Sequence, residues 1–185
     1  RIGAKSSYDC GNSIDEDECN NAKKSYTDID FALRYTQKNL NSDLGVFVAQ
    51  ESDESFTRGK NFYAVRSKTK VNNRSIGYFL THVVDNFTNE KATVNVVDFT
   101  NIKSDKLTLY NDILFSEKEG ENGLGIRSQF TYQPTPLVRR SGSILYFEDS
   151  FKLNDFGYLK KADWFHFGIG SDLTKINFKE SSPIK

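Results

Sequence analysis

The sequence has few of the residues with which most enzymes build a reactive centre. Its 185 residues contain two histidines, two cysteines and three prolines, and they contain no methionine. No second Cys or His pair accompanies the two cysteines, so no metal site is predicted. Gly-x-Ser-x-Gly and dinucleotide-binding glycine patterns are missing, so neither nucleophilic catalysis nor a phosphate cradle has a local signature. We therefore predict no catalytic residue, no metal and no cofactor.

An excess of one charge and long apolar runs are also lacking. The 25 basic and 25 acidic side chains cancel, so we expect no overall field that would attract nucleic acid or an anionic membrane. No run reaches the roughly 18 apolar residues that a spanning helix needs, which predicts no membrane span. The hydrophobic content of 37% and the fifteen phenylalanines are typical of a globular chain. We expect a single domain over residues 1–185 with a large core.

The N-terminal region bears on the compartment. The chain begins at Arg1 without a methionine, which fits either a trimmed chain or a mature protein whose targeting segment lay upstream. Cys10 and Cys19 are close enough in sequence for a local disulfide, which favours an oxidising, extracytoplasmic location: secreted, periplasmic or cell-surface. Two free thiols in a cytosolic protein are the alternative. Asn73 and Asn86 begin glycosylation sequons, which matter only in a eukaryotic secretory protein.

Residues 13–44 predict one long helix that follows a lead-in over residues 1–12. A capping-box pattern opens this segment, and Gly45 is placed to end it. Two shorter helices that break near Ser25 are the alternative. Apolar or small residues recur at alternating steps of three and four, which draws one stripe along a helix: Cys19, Ala22, Tyr26, Ile29, Leu33, Thr36 and Leu40.

Residues 45–185 change to a period of two, which predicts an antiparallel meander. Its most apolar strand, residues 76–84, is expected to be buried on both faces. The fold class is therefore α+β, with the long helix packed on a curved antiparallel sheet or partial barrel of about eight or nine strands. In element order this resembles type IV pilin or pseudopilin ectodomains and cystatin-like subunits of secretion channels, which implies a role in assembly. The predicted strands cover residues 45–51, 61–69, 76–84, 92–99, 107–115, 124–132, 143–148, 163–169 and 175–178.

Basic and aromatic side chains supply the candidate binding residues. Arg66, Lys68 and Lys70 alternate, so they project from one face of a strand, and Arg74 follows them. They form either a solvated strand edge that lysine keeps from pairing, or a contact surface for an acidic protein or an anionic glycan. The further candidates are Arg139, Arg140, Trp164 and His166.

These features favour a non-catalytic extracytoplasmic module for protein–protein interaction or assembly, which binds a partner protein or its own copies. One alternative is a barrel-shaped carrier of an apolar or aromatic molecule, which requires an internal cavity of about 300 Å³ or more. Another is a glycan-active enzyme, which requires its candidate residues to converge in one cleft. Those residues are Glu148, Asp149, His166 and either Arg139 or Arg140.

Overall fold

The computed structural model describes residues 27–53, 58–153 and 163–174. Over these ranges it contains nine β-strands and no helix. The strands form one open antiparallel sheet and are ordered in space as they are in sequence. They are β1 (Ile29–Lys38), β2 (Ser42–Glu51), β3 (Lys60–Val71), β4 (Arg74–Asp85), β5 (Lys91–Ser104), β6 (Leu107–Lys118), β7 (Glu121–Thr135), β8 (Val138–Phe147) and β9 (Trp164–Leu173).

The predicted N-terminal helix is wrong wherever the structure describes its residues. The residues from 29 onward form β1 and the start of β2, which pair antiparallel. The helical stripe shared Ile29 and Leu33 with an alternating series that also contains Phe31 and Tyr35, and aromatic and β-branched residues favour a strand. Gly45 does not end a helix, because it lies inside β2 opposite Thr36. Without the helix, the element order that suggested pilin ectodomains is lost.

The antiparallel meander predicted for the rest of the chain is confirmed. A strand is present at each of the eight positions predicted between residues 45 and 169. The expectation of a strand buried on both faces is wrong, because Ile76 of β4 is 56% exposed. The predicted helical residues 13–26, the strand at 175–178 and the proposed Cys10–Cys19 disulfide lie outside the described residues.

The connections differ in length between the two ends of the strands. At one end, here called the short-turn end, residues 39–41, 72–73, 105–106 and 136–137 join successive strands. At the other, the long-loop end, the connections are residues 52–59, 86–90, 119–120 and 148–163. The tight turn at 119–120 has two positive φ angles, 54° at Glu119 and 82° at Gly120, which fits a two-residue hairpin.

The core is small and lies on one side of the sheet. Ala49, Phe62 and Val83 form its buried cluster. Phe151, which follows β8, is also buried, and its ring centroid lies 5.1 Å from that of Phe147. The large core that the phenylalanine content predicted is not formed among the described residues, where many aromatic side chains remain exposed. No helix in the described part of the chain is long and apolar enough to cross a membrane.

Candidate functional site

The strand register divides the side chains between two faces that differ in charge, and the charged one also carries the buried core of Ala49, Phe62 and Val83. In a strand, successive side chains point to opposite faces, and paired residues on neighbouring strands share a face. What we call the apolar face includes Leu33, Val48, Tyr63, Leu80, Val97, Ile113, Ile126, Ile144 and Phe167. What we call the polar face includes Arg34, Phe47, Arg66, Thr81, Asp98, Asp112, Arg127, Leu145 and His166.

The apolar face is exposed across the whole width of the sheet. Leu33 in β1 is 57% exposed, Ile113 in β6 is 44% exposed and Phe167 in β9 is 63% exposed. Large apolar side chains of all nine strands contribute to it. A surface of this extent is rare on a water-soluble monomer, and in general such surfaces belong to protein or membrane contact sites.

Charged residues on the apolar face are confined to the ends of its strands. Arg74 and Lys91 are the first residues of β4 and β5. Glu117 is next to last in β6, and Arg140 is third in β8. The charges in the middle of strands, such as Arg66, lie on the polar face instead. The apolar face therefore carries an uncharged belt with charges along its margins.

Polar side chains inside this belt are paired with one another across neighbouring strands. Each of these bonds replaces a hydrogen bond to water, which lowers the cost of covering the paired groups with an apolar medium. The pairs are Tyr78 Oη donating to Asn95 Oδ1 at 2.6 Å, His82 Nδ1 with Thr93 Oγ1 at 2.9 Å, and Ser128 Oγ donating to Asn111 Oδ1 at 2.8 Å.

The polar face carries a charge ladder, which we define as Arg66, Asp98, Asp112 and Arg127. Asp98 and Asp112 are directly opposite each other on β5 and β6, and Arg127 is opposite Asp112 on β7. Arg127 Nε donates to Asp112 Oδ2 at 2.5 Å. Arg66 forms an ion pair with Asp98, but its N–H groups are not aligned to donate a hydrogen bond to Asp98 Oδ2. Each of the two facing carboxylates is therefore paired with an arginine on the side away from the other carboxylate.

Gly77 makes room for the ladder to cross β4. It lies between β3 and β5, and its register partner on β5 is Asp98. A Cβ at this position would lie 2.8 Å from both Arg66 Nη2 and Asp98 Oδ1. Because no side chain projects from residue 77, the arginine reaches across an intervening strand to its acid.

The predicted basic stripe is real in its geometry, but most of its charge is neutralised. Arg66, Lys68 and Lys70 share the polar face, whereas Arg74 lies on the apolar one. Lys70 Nζ lies 2.9 Å from Asp43 Oδ2. Lys68 forms no ion pair within the described ranges, and it lines an open groove of about 540 Å³ beside the ladder. This groove is open and lined by charged and polar as well as apolar side chains, so it is not the internal cavity for an apolar or aromatic molecule that the carrier alternative requires.

The four remaining binding candidates do not form one site. Arg139 lies on the polar face and Arg140 on the apolar face, as neighbours in a strand must. Trp164 and His166 lie on the polar face of β9 with ring centroids 5.5 Å apart. The His166 ring Nε2 comes within 3.0 Å of where a Cβ of residue 168 would be, so the ring fills the space beside that glycine.

The residues considered for an enzyme do not converge. Arg139 is the second residue of β8, whereas Glu148 directly follows that strand. At about 3.3 Å per residue their backbones are separated by roughly 30 Å. Glu148 Oε2 accepts a hydrogen bond from the Leu124 amide at 2.8 Å, which is a structural contact. No group of metal-binding side chains occurs among residues 27–53, 58–153 and 163–174.

Charged side chains at the long-loop end of the sheet interact with one another. The Lys118 ammonium lies 3.1 Å from Glu90 Oε2 and is the main cause of a lowered pKa at Glu90. Glu90 in turn raises the pKa of the Glu119 carboxyl, first by hydrogen bonding and then by repulsion of like charge. Glu119 is exposed and Lys118 and Glu90 are half-buried, and the three groups show no arrangement typical of acid–base catalysis.

The two predicted glycosylation sites lie at opposite ends of the sheet. Asn73 is exposed in the tight turn between β3 and β4. Asn86 lies at the long-loop end, where its side-chain amide donates to the Gly59 carbonyl at 2.6 Å. Modification at Asn86 would break that contact.

Comparison with known proteins identifies no relative. No protein-family model matches the chain, and neither the curated proteins nor the solved structures include a significant match.

Proposed function

We propose that the chain is a non-catalytic extracytoplasmic module whose sheet is embedded in a lipid bilayer, with the apolar face against acyl chains. The observation that carries this proposal is the partition of charge. Mid-strand charges such as Arg66, Asp98 and Arg127 lie on one face, and the other face is uncharged between its margins. Strands that line a membrane alternate in this way, apolar towards lipid and polar towards an interior.

Strand length supports the same proposal. The nine strands contain 10 to 15 residues, and about 9 to 11 tilted residues cross the hydrocarbon core. Turns of two or three residues join the strands at one end of the sheet, and such short turns at one end are a further feature of membrane sheets. The expectation of no membrane span was based on the lack of a long apolar run. A strand with alternating apolar and polar residues contains no such run.

A second protein is a poorer fit to the apolar face than lipid is. Protein interfaces usually have a polar rim around an apolar centre. Here the exposed apolar residues continue to the outermost strands, with Leu33 in β1 and Phe167 in β9 among them. Hydrocarbon requires no such rim. Sheets of this kind occur in outer membranes, which agrees with the extracytoplasmic location proposed from the cysteines.

Refolding into phosphatidylcholine vesicles, followed by flotation and denaturant titration, tests this proposal. The wild-type chain should float with the vesicles. Ile113→Arg places a charge in the middle of the apolar face and should destabilise the inserted sheet by about 2–4 kcal/mol. Gln129→Arg, on the polar face of β7, is the matched control and should change stability by less than about 0.5 kcal/mol.

The two variants also distinguish lipid from water at the apolar face. Were this face solvated, Ile113→Arg would be an ordinary surface substitution with an effect as small as that of Gln129→Arg. Equal effects of the two variants, or a wild-type chain that stays at the bottom of the gradient, would refute the membrane proposal.

A further inference from the structure

We infer that the apolar face binds one phospholipid with a net negative headgroup, in a groove at the short-turn end between the β3–β4 turn and the end of β5. This inference rests on the proposed membrane location, which accounts for contact with acyl chains but not with headgroups. A lipid is the occupant because the cations of the groove adjoin apolar side chains of the belt.

The groove is formed by the β3–β4 turn and the last residues of β5. It is open and has a volume of about 690 Å³. The Ile102 amide donates to the Asn73 carbonyl at 2.8 Å, which holds the turn beside β5. Lys103 is the additional residue of the β-bulge near the end of β5. Arg74, the first residue of β4, lines the same groove, so two cations meet at the ends of neighbouring strands.

Both cations of the groove are available to a ligand. Arg74 and Lys103 are exposed, and neither forms an ion pair within the described ranges. The acid nearest to Lys103 along the chain is Asp105, and Lys106 directly follows it. Asparagine amides also line the groove and can donate hydrogen bonds to the oxygens of a phosphate. They belong to Asn72, Asn73 and Asn101.

Apolar side chains of the belt continue from the cations of the groove. Arg74 is paired with Asn101, and the next pair on the same face is Ile76 with Phe99. These two side chains are 56% and 37% exposed, and they lie two residues, roughly 7 Å, further along the strands. A phosphate bound at Arg74 would therefore leave its acyl chains along Ile76 and Phe99. A small water-soluble anion would make no use of them.

The two margins of the apolar face differ in charge. At the long-loop margin, Lys91 and Glu117 carry opposite charges. At the short-turn margin the face carries Arg74 and Arg140 and no acid among the residues that the structure describes. Lysine and arginine near a membrane surface attract anionic lipids. The short-turn margin is therefore the one suited to an anionic headgroup.

Native mass spectrometry of the chain, released from nanodiscs of phosphatidylcholine and phosphatidylglycerol in equal parts, tests the inference. The first lipid retained should be phosphatidylglycerol by at least about 10-fold, because each cation contributes roughly a factor of five. Arg74→Gln should lower this ratio about 5-fold, and Arg74→Gln/Lys103→Gln should bring it close to one. Arg140→Gln is the matched control and should change the ratio by less than about 2-fold. It removes the same charge from the same margin, but beside Tyr132 and Ser171.

The outcomes separate this inference from the proposal on which it rests. If the chain inserts but retains both lipids equally, or if Arg140→Gln acts as strongly as Arg74→Gln, the inference is overturned alone. Displacement of phosphatidylglycerol by excess inorganic phosphate at constant ionic strength would reveal a site for the anion only, which also overturns it. A chain that enters neither kind of bilayer refutes the membrane proposal and the inference with it. A preference for phosphatidylglycerol that only the groove variants remove supports both.

Discussion

At the scale of single residues, the polar face depends on a position that carries no side chain. Arg66 and Asp98 are on strands that are not neighbours, and they meet over Gly77 of β4. Asp98 and Asp112 face each other directly, an arrangement that destabilises a sheet unless each acid has its own cation. The sequence shows each of these residues but not their contact, because contact depends on the register of five strands.

Gly77→Ala should therefore destabilise the folded sheet by about 1–3 kcal/mol. The added methyl group would lie within 2.8 Å of Arg66 Nη2 and would push the arginine away from a largely buried acid. Gly45→Ala is the matched control, because a Cβ there meets only Arg66 Cβ and Thr36 Cγ2 at 3.8 Å. Denaturant titration of the two variants in the same vesicles measures the difference. Equal stability of the two would mean that the ladder does not need the space.

At the scale of elements, strands could be predicted where apolar and polar residues alternate strictly. The helix was wrongly predicted where the same apolar residues fit both the period of a helix and that of a strand. β7 shows the first case. Ile126 and Phe130 lie on the apolar face and Arg127 lies on the polar face, as the alternating sequence pattern predicted. β1 shows the second, because Ile29 and Leu33 fit both a helix and a strand. The pairing with β2 decided between them, and that pairing is a non-local contact that no local pattern contains.

The edge strand β9 offers a direct test of which face meets lipid. Trp164, the only tryptophan, lies on the polar face, and its neighbour Phe165 lies on the apolar face. Phospholipids with brominated acyl chains should therefore quench the fluorescence of the wild-type chain weakly. The double variant Trp164→Phe/Phe165→Trp moves the indole by one residue to the other face and should be quenched strongly. Composition is identical in the two proteins, so stronger quenching of the wild type would reverse the assignment of the faces.

At the scale of the whole molecule, the apolar belt runs obliquely across the strands. It is centred near Leu33 in β1 and near Phe167 in β9. Register partners on successive strands form rows across the sheet. The row that contains Phe167 crosses β2 at Ser42, and the row that contains Leu33 crosses β2 at Val48. The two rows are therefore six residues apart along β2. Six residues correspond to roughly 20 Å, and eight inter-strand spacings to roughly 38 Å. A belt parallel to a membrane thus requires strands inclined by roughly 30°.

Polarised infrared spectroscopy of oriented bilayers should detect this inclination. The amide I dichroism of the inserted chain is expected to give a strand tilt of roughly 30–45° from the bilayer normal, between the roughly 30° of the oblique belt and the upper limit for membrane strands in general. A sheet that only lay on the membrane surface would place its strands close to the membrane plane. Ile113→Arg, which should destabilise the inserted sheet, serves as the control and should weaken the oriented signal that Gln129→Arg keeps. Strands found in the membrane plane would leave the oblique belt without a membrane explanation, because only tilted spanning strands bring all nine apolar segments to the same depth.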